Sequence, residues 1–595
     1  MSIDDDLQPQ LSITEADRAL SLFTGRYSFT RLIAERLNDP PAKDILFFHG
    51  AGGNGKSLLL AYLRRNSCKK LTDEQWQQWR EFDDEQLATT LKGLLPTGHL
   101  PVPTALLDFA PGAKCRNTDP FYGLIRIRED LVAAVKETPY TLKFPLHTYG
   151  CFLYLKQTNR LEEVKGLFPS EEAALLKEFG DLLKPLPGPG FAVELLNTIN
   201  KYSGGRLRHY QKRFRLDEVE VQRLQAMDAE KALVLELPRL LAADLNVAMT
   251  TKDAPERIVL FFDTHEAFYG RERNYRANFF RDGWLRRLLR KLELEAGIVV
   301  IVAGRDKPRW SEADEHELGT KIPAEYVCLR SVDNLLVADA DIYLRRAGIA
   351  DEALRDRLIR YASVQAGEVH PLHLGLCVDV VLEAQSSGAV LQPGDFSTVE
   401  AFEEKSAYLI SQLLKYVDDN LKYAIRALAA CRFFDFEIYK LLGNRLDFAV
   451  NTPTFKRLLG FSFIRQVAQS GCLRYRVHDL LRRLDKSSTM TNAHSVLAEH
   501  YQAEERVDFI YHVNHLAWHR GFVLWIEIFD EALKLSHYDK CRALVNIRTE
   551  LIVETPRARG LLLDAEGEYY QTLFFTRKQS MQLIMLSLHT RKHCS

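Results

Sequence analysis

A chain of 595 residues is too long for one hydrophobic core, and its length predicts about three to five domains. With 46% hydrophobic and 27% charged residues, the composition is that of a soluble globular protein, and a net charge of −1 gives no overall preference for nucleic acid or an anionic membrane. Nine cysteines without paired spacing, and an acidic N-terminus without an apolar leader, favour a cytoplasmic protein.

Four apolar segments have the pattern of buried parallel strands and alternate with helical segments. They are Asp44–His49, Pro103–Phe109, Arg257–Asp263 and Gly297–Ala303. This alternation predicts an α/β core with a parallel sheet over residues 41–335, after a lead segment over residues 1–40. The helical spacing between about residues 124 and 249 predicts an insertion within that core.

The most specific motif follows the first strand, where residues 50–57 read G-A-G-G-N-G-K-S. This matches the phosphate-binding loop G-x-x-x-x-G-K-[ST], and a strand before it and a helix after it are the expected context. Backbone N–H groups in such a loop surround phosphates, while its lysine reaches the β- and γ-phosphates and its serine binds Mg²⁺. The predicted ATP/ADP-binding residues are Gly50, Ala51, Gly52, Gly53, Asn54, Gly55, Lys56, Ser57 and Leu58, with Ser57 also a metal ligand.

Three further residues follow the later strands of the core. Asp263 ends the third strand and is predicted to be the second magnesium ligand. Glu266 is a candidate for polarising an attacking water, and a solvated acid of the loop is the other interpretation. Arg305 follows the fourth strand, where the strand ends converge on a ligand, and it is predicted to sense a γ-phosphate. Lys56, Asp263, Glu266 and Arg305 are thus the candidate catalytic residues.

The second half of the chain is predominantly helical. Residues 336–398 predict an all-helical domain, and residues 488–595 predict a helical array similar to tetratricopeptide repeats. Between them, residues 399–487 predict a winged helix from three helices followed by a hairpin. These elements are helices near Asn420–Cys431, Asp435–Leu442 and Thr454–Leu459 and strands Phe461–Val467 and Cys472–His478.

The histidines of the helical array do not indicate a metal site. His512, His515 and His519 lie on one side of a predicted helix, Val507–Arg520. No carboxylate or cysteine cluster accompanies them, so we interpret them as a packed face of that helix.

The order of these motifs resembles that of the STAND class of signalling P-loop NTPases, relatives of the NB-ARC and NACHT proteins. Gly25 and Arg26, in Phe23-Thr24-Gly25-Arg26, resemble the family's motif beside the adenine. Pro371 resembles the proline of the helical domain that packs on the base. His478, in Val477-His478-Asp479, resembles the histidine that contacts the β-phosphate of ADP in the resting state.

The resemblance implies an ATP/ADP-binding signal-transduction switch. ADP would be held between the core, the helical domain and the winged helix, and a protein partner or ligand sensed by the C-terminal helices would permit exchange for ATP and homo-oligomerisation. Slow ATP hydrolysis would reset the switch, if it occurs. Membrane and nucleic-acid partners are not expected.

Three alternatives stay open from the sequence. One is an AAA+ type ATPase that acts on DNA through its winged helix. Another is a transcriptional regulator gated by the STAND module, which needs a basic DNA-reading domain that the sequence does not suggest. The third is a scaffold without nucleotide dependence, which the intact loop at residues 50–57 disfavours.

Overall fold

The computed structural model describes residues 20–110, 117–168, 170–182, 190–269, 281–312, 321–365, 367–396, 402–467, 474–478, 481–482, 487–502 and 506–573. Outside these ranges lie the predicted turn of the hairpin at residues 468–471, Asp479 and the end of the predicted helical array from residue 574.

The strands are numbered in chain order. They are β1 Ile45–His49, β2 Lys69–Lys70, β3 Leu100–Pro101, β4 Thr104–Asp108, β5 Ile258–Asp263, β6 Ile298–Gly304, β7 Val327–Ser331, β8 Leu335–Leu336, β9 Ser363–Gln365, β10 Glu368–Val369, β11 Ile464–Val467 and β12 Arg474–Val477.

A five-stranded parallel sheet in the order β4-β5-β6-β1-β7 forms the core of the first half of the chain. The four predicted strands correspond to β1, β4, β5 and β6, so the predicted parallel α/β core is confirmed. The fifth strand, β7, was not predicted. It lies at the edge of the sheet and its residues are half-buried or exposed, so it lacks the continuous apolar run of the others.

Alternate residues of each strand pack on opposite faces of the sheet. In β1, Ile45 and Phe47 belong to a core shared with the helices between Pro120 and Ala248. Leu46 and Phe48 face the other side, where they pack with the helices Tyr27–Asn38 and Lys56–Asn66. Because both faces are covered, the central strands are almost entirely apolar.

The helices account for most of the remaining structure. Through the sheet-containing half they are Tyr27–Asn38, Lys56–Asn66, Asp73–Trp79, Asp84–Gly93, Pro120–Val135, Pro145–Gln157, Val164–Leu167, Ser170–Leu182, Phe191–Tyr202, Leu207–Phe214, Glu218–Gln225, Val234–Ala248 and Gly283–Lys291. The later helices are Val337–Arg346, Glu352–Ala362, Pro371–Ser386, Phe402–Tyr416, Asp419–Ala429, Phe436–Leu446, Thr452–Leu459, Ser488–Tyr501, Arg506–Leu516, Trp518–Lys534, Tyr538–Arg548 and residues 556–573.

Residues 335–497 contribute to one continuous hydrophobic core. The small antiparallel sheet β8-β10-β9 lies at its start, among three of the helices. The helices Asp419–Ala429, Phe436–Leu446 and Thr452–Leu459 then precede an antiparallel pair, β11 and β12, in which Arg465 is opposite Arg476. We call this pair the hairpin.

The C-terminal helices pack around their own apolar core, which includes the buried side chains of Trp525 and Phe529. The predicted helix Val507–Arg520 is wrong at its end, because the helix ends at Leu516 and Ala517 is extended. A second helix then begins at Trp518. Gly521 passes so close to the first helix that a Cβ atom there would lie 2.4 Å from Asn514 Cα, which explains the sharp break.

The predicted packed histidine face is only partly as expected. His512 is buried, and its Nδ1 lies 2.9 Å from Nδ1 of His494 on the preceding helix. His519 lies on the helix after the break, so it does not share a helix with His512. Within the described ranges, no group of three or more histidine, cysteine, aspartate or glutamate side chains is arranged to hold a metal ion.

No helix in the part of the chain that the structure describes is both long and apolar enough to cross a membrane.

Candidate functional site

The glycine-rich loop connects β1 to the helix Lys56–Asn66 at the carboxyl edge of the sheet. Gly53 and Gly55 have φ values of +86° and +75°, a conformation that side chains strongly disfavour. Gly50 is required for a different reason, since a Cβ atom there would lie 2.4 Å from the carbonyl oxygen of Val332. The loop therefore adopts a compact conformation that only glycines permit.

Lys56 is buried at the first position of the helix, and its ammonium group turns back onto the loop. Nζ donates hydrogen bonds to the carbonyl oxygens of Gly50 at 2.6 Å and Ala51 at 2.8 Å. Burial lowers the pKa of Lys56, while the nearby carboxylates of Glu266 and Asp263 oppose that shift. A buried ammonium group held by two carbonyl oxygens is well placed to exchange them for phosphate oxygens.

Side chains from three separate parts of the chain surround the loop. An added Cβ atom would lie 3.1 Å from Arg26 Nη1 at Gly55, 2.9 Å from Arg305 Nη2 at Gly52 and 2.7 Å from His370 Cε1 at Gly53. Arg26 and Arg305, together with Lys56, concentrate positive charge around the loop, which suits a polyanion such as a nucleotide phosphate chain.

Arg26 is fixed from behind by the segment after β7 and by the helix Val337–Arg346. Its Nη2 donates to the carbonyl oxygen of Asp333 at 2.6 Å. Burial lowers the pKa of Arg26 to about 10, although the carboxylates of Asp339 and Asp333 oppose this. Gly25 lies against the same helix, because a Cβ atom there would be 2.5 Å from Asp339 Oδ2.

Glu266 and Arg305 contact each other. The backbone N–H of Arg305 donates to Glu266 Oε2 at 3.0 Å, and Arg305 Nε lies 3.9 Å from Glu266 Oε1. Glu266 therefore contacts Arg305, the residue predicted to sense a γ-phosphate. Both interpretations of Glu266, as a catalytic acid and as a loop acid, remain predictions.

Two carboxylates lie side by side at the ends of neighbouring strands. Asp108 ends β4, Asp263 ends β5, and the parallel register pairs them directly. Both are buried, and Asp263 also accepts a hydrogen bond from the Ser57 side chain. Burial raises the pKa of Asp263, and the charge of Asp108 adds to the shift, while Arg465 and Ser57 oppose it.

Thr264 fixes the relative position of these carboxylates. Its Oγ1 donates to Asp108 Oδ1 at 2.6 Å and its backbone N–H donates to Asp263 Oδ1 at 2.7 Å. The residue has a φ of +59°, which is unusual for a β-branched side chain. The two hydrogen bonds offset that strain and engage the Oδ1 atoms of both aspartates.

Arg465, from β11 of the hairpin, contacts both carboxylates. One guanidinium nitrogen, Nη2, donates to Asp108 Oδ2, to Asp263 Oδ2 at 3.2 Å and to Thr264 Oγ1 at 3.1 Å. The two aspartates hold the pKa of Arg465 above its usual range, although desolvation opposes this shift. The hairpin is thereby bound to the carboxyl edge of the sheet through an ion pair whose carboxylates are buried and whose arginine side chain is 35% exposed.

The oxygen atoms gathered here fit a magnesium ion. Ser57, Asp108 and Asp263 supply hydroxyl and carboxylate oxygens, the ligands that Mg²⁺ prefers. Ser57 and Asp263 are the two residues predicted to bind the metal, and the hydrogen bond between them brings them together. Phosphate oxygens held by the loop would complete the coordination.

The remaining predicted residues lie in less direct positions. Pro371 occupies the first turn of the helix Pro371–Ser386. Its neighbours His370 and Leu372 are the residues that lie beside Gly53. His478 lies at the base of the hairpin, where its backbone N–H donates to Phe463 O at 2.8 Å. Contact of Pro371 and His478 with a nucleotide remains a prediction.

Three other residues that were predicted to bind nucleotide have structural roles. Asn54 is buried, and its Nδ2 donates to the carbonyl oxygen of Val332 at 3.1 Å. Leu58 packs against the apolar core on that face of the sheet. Ala51 supplies one of the carbonyl oxygens that hold Lys56.

Sequence reasoning missed three residues of this site, namely Asp108, His370 and Arg465. A signal existed for Asp108, because it ends an apolar strand just as Asp263 does. His370 is next to the predicted Pro371. No local pattern marks Arg465, which is 357 residues from Asp108.

Comparisons with known proteins add little to this description. No protein-family model matches the chain, and no curated protein matches it. Among the solved structures that match is the crystal structure of Cdc6p from Pyrobaculum aerophilum, at 11% sequence identity, with a TM-score of 0.25. The match covers 79% of this chain and 94% of that one. A TM-score this low supports no argument about fold or function.

Proposed function

We propose that this protein is an ATP/ADP-binding signal-transduction switch of STAND type. The observation that carries this proposal is the convergence of three separate parts of the chain on the glycine-rich loop and of a fourth on the carboxylates beside it. Arg26 precedes the sheet, Arg305 follows β6, His370 precedes a helix of the second half, and Arg465 comes from the hairpin. A nucleotide at the loop would contact or displace each of them.

The chain itself supplies the groups that binding requires. Lys56 would transfer its hydrogen bonds from the loop carbonyls to phosphate oxygens, and the loop N–H groups would surround the phosphates. Ser57 and the two aspartates would hold Mg²⁺, which neutralises phosphate charge when bound. Arg305, whose backbone N–H donates to Glu266 and whose guanidinium group lies beside Gly52, would respond to a terminal phosphate.

Buried ion pairs between the two halves of the chain favour a switch over an enzyme that turns over continuously. The C-terminal helices dock on the first half through Arg542 with Asp119, at 2.8 Å, and through Glu566 with Arg281, also at 2.8 Å. Breaking buried pairs of this kind is costly, so the closed arrangement is a discrete state that a ligand would have to overcome. This suits slow, stimulus-dependent exchange of nucleotide.

A stimulus that acts on the C-terminal helices has a physical route to the nucleotide site. Arg432 precedes the helix Phe436–Leu446 and pairs with Asp508 at 2.8 Å and with Glu550 of the C-terminal helices. Arg465 of the hairpin pairs with Asp108 and Asp263. Loosening the pairs of Arg432 would release the helices and the hairpin, and the hairpin carries Arg465. We further propose that the open state, in the cytoplasm, forms homo-oligomers.

The alternative of an AAA+ ATPase acting on DNA is less well supported. If residues 399–487 form a winged helix, its DNA-reading helix is Thr452–Leu459, whose basic residues are Lys456 and Arg457. Arg457 pairs with Glu383 and with Asp418, the latter at 3.1 Å. Its charge is therefore neutralised within the protein, and a helix with so little free positive charge is a weak DNA-binding element.

The direct test is the thermal stability of the full chain with and without nucleotide. At a nucleotide concentration of about 100 times Kd, binding stabilises the folded state by about 2.7 kcal/mol, so ADP or ATP should raise the unfolding temperature by several degrees. Lys56→Ala should abolish that increase. Lys43→Ala removes an exposed lysine of the same half and should behave like the wild type.

The proposal fails if purified protein carries no nucleotide and if ADP and ATP change the unfolding temperature of the wild type no more than that of Lys56→Ala. If the protein instead retains DNA on a filter at low salt, and if DNA stimulates brisk ATP turnover, the AAA+ alternative is favoured.

A further inference from the structure

One nitrogen atom of Arg465 lies among three oxygen atoms at the carboxyl edge of the sheet. Its Nη2 is 3.2 Å from Asp263 Oδ2, 3.1 Å from Thr264 Oγ1 and in hydrogen-bond contact with Asp108 Oδ2. Asp108 and Asp263 are each 5% exposed. The guanidinium group therefore fills a preformed, oxygen-lined position for a cation.

The two carboxylates require positive charge because of where the sheet puts them. Their strands are adjacent and parallel and end at the same register position, so the charges of Asp108 and Asp263 are buried side by side. Two buried like charges are strongly unfavourable unless a cation lies between them. Arg465 supplies that charge from the hairpin, about 200 residues further along the chain.

A magnesium ion would need the same oxygen atoms. Mg²⁺ binds carboxylate oxygens at about 2.0–2.1 Å in an octahedral arrangement, which leaves no room for a guanidinium group on the Oδ2 atoms. Two cations so close together would also repel each other. Metal binding and the Arg465 contact therefore exclude each other at this pair of carboxylates.

We propose that Asp108 is a second metal-binding carboxylate beside Asp263, and that Arg465 competes with the divalent cation for the pair. The part of this inference that concerns nucleotides rests on the function proposed above, whereas the competition itself does not. Mg²⁺ brought in with a nucleotide displaces Arg465 and frees the hairpin from the sheet. Loss of the metal lets Arg465 return.

The first experiment measures Mn²⁺ binding to the nucleotide-free full chain by electron paramagnetic resonance, with Mn²⁺ as the observable substitute for Mg²⁺. Arg465→Gln removes the competing charge, so it should bind one Mn²⁺ at least tenfold more tightly than the wild type. Arg465→Lys keeps a cation and should fall between the two. Arg445→Gln removes an exposed arginine of the helix Phe436–Leu446, which precedes the hairpin, and should match the wild type.

The residue that binds the metal is identified by a double variant. Adding Asp108→Asn to Arg465→Gln should abolish the gain in Mn²⁺ affinity, and it also removes the unbalanced buried charge that Arg465→Gln leaves. Equal Mn²⁺ affinity in the wild type and Arg465→Gln would overturn the inference. A gain that survives Asp108→Asn would overturn the role of Asp108.

A second measurement needs no variant and follows hydrogen–deuterium exchange of peptides that contain β11 and β12. Saturating Mn²⁺ should raise deuterium uptake there in the wild type, and Mg²⁺ with ATP should do so at a lower metal concentration. Binding of Mn²⁺ without any change in hairpin uptake would contradict the displacement. If neither ATP nor ADP binds while Mn²⁺ still releases the hairpin, the proposed function fails and the competition stands.

Discussion

His370 connects the loop to the second half of the chain. Its Nε2 lies 3.4 Å from the carbonyl oxygen of Gly52, its ring packs 4.8 Å from that of His373, and both side chains are buried. Burial lowers the pKa of His370 to about 4, and the charge of Arg26 adds to the shift. The imidazole is therefore neutral at physiological pH.

This shift predicts how stability depends on pH. The unfolded chain takes up a proton at His370 near pH 6.5, whereas the folded protein does so only near pH 4, so the free energy of unfolding decreases as the pH falls through that window. Between pH 7 and pH 4.5 the wild type should lose about 2 kcal/mol more than His370→Gln, as measured by urea denaturation. His209→Gln, at an exposed histidine, should follow the wild type. Parallel losses in all three proteins would contradict the prediction.

At the residue scale, the sequence identified the side chains that a local motif or a strand end marks. Lys56, Ser57 and Asp263 were predicted from such marks, and the structure brings the side chains of Ser57 and Asp263 together. Arg465 could not be predicted, because its partners lie in strands more than 200 residues away and nothing around it differs from an exposed arginine on a hairpin.

The glycine-rich loop is also a contact surface between elements. Gly53 has a φ of +86°, and a Cβ atom there would lie 2.7 Å from His370 Cε1. Gly388 has a similar φ of +82°, with no atom near the corresponding position. The two glycines thus share the same backbone conformation and differ in what a methyl group would meet.

This difference allows the contact to be tested apart from backbone strain. Gly53→Ala and Gly388→Ala should each lose about 1–2 kcal/mol of stability, the cost of a left-handed non-glycine residue. Only Gly53→Ala displaces His370 and the loop, so it alone should lower ADP affinity, by tenfold or more in a calorimetric titration. Equal ADP affinity in the two variants would show that the contact with His370 does not shape the site.

At the element scale, the sequence predicted what periodicity determines and missed what tertiary contacts determine. The buried strands β1, β4, β5 and β6 have long apolar runs and were predicted. The edge strand β7 is defined by its pairing with β1 rather than by its composition. The break at Ala517 depends on the close packing of Gly521 on Asn514, which local helical spacing does not reveal.

The whole molecule is closed by arginine–carboxylate pairs, most of them buried, between segments distant in the chain. Arg465 binds the hairpin to the sheet. Arg432 binds the helices that precede the hairpin to the C-terminal helices, and Arg542 binds those C-terminal helices to Asp119. Glu566 lies between Arg281 and Arg548, and all three side chains are at most 4% exposed. Removing one partner leaves an unpaired buried charge, so these contacts should open together rather than one by one.

In the proposed switch, the bound nucleotide determines whether this closed arrangement persists. The most direct measurement is the mass of the full chain by light scattering, after its nucleotide has been exchanged for ADP or for ATP with Mg²⁺. We expect this switch to be a monomer with ADP and a larger assembly with Mg²⁺–ATP, while Lys56→Ala stays monomeric in both. Equal masses with ADP and Mg²⁺–ATP, in protein shown to have bound each nucleotide, would contradict it.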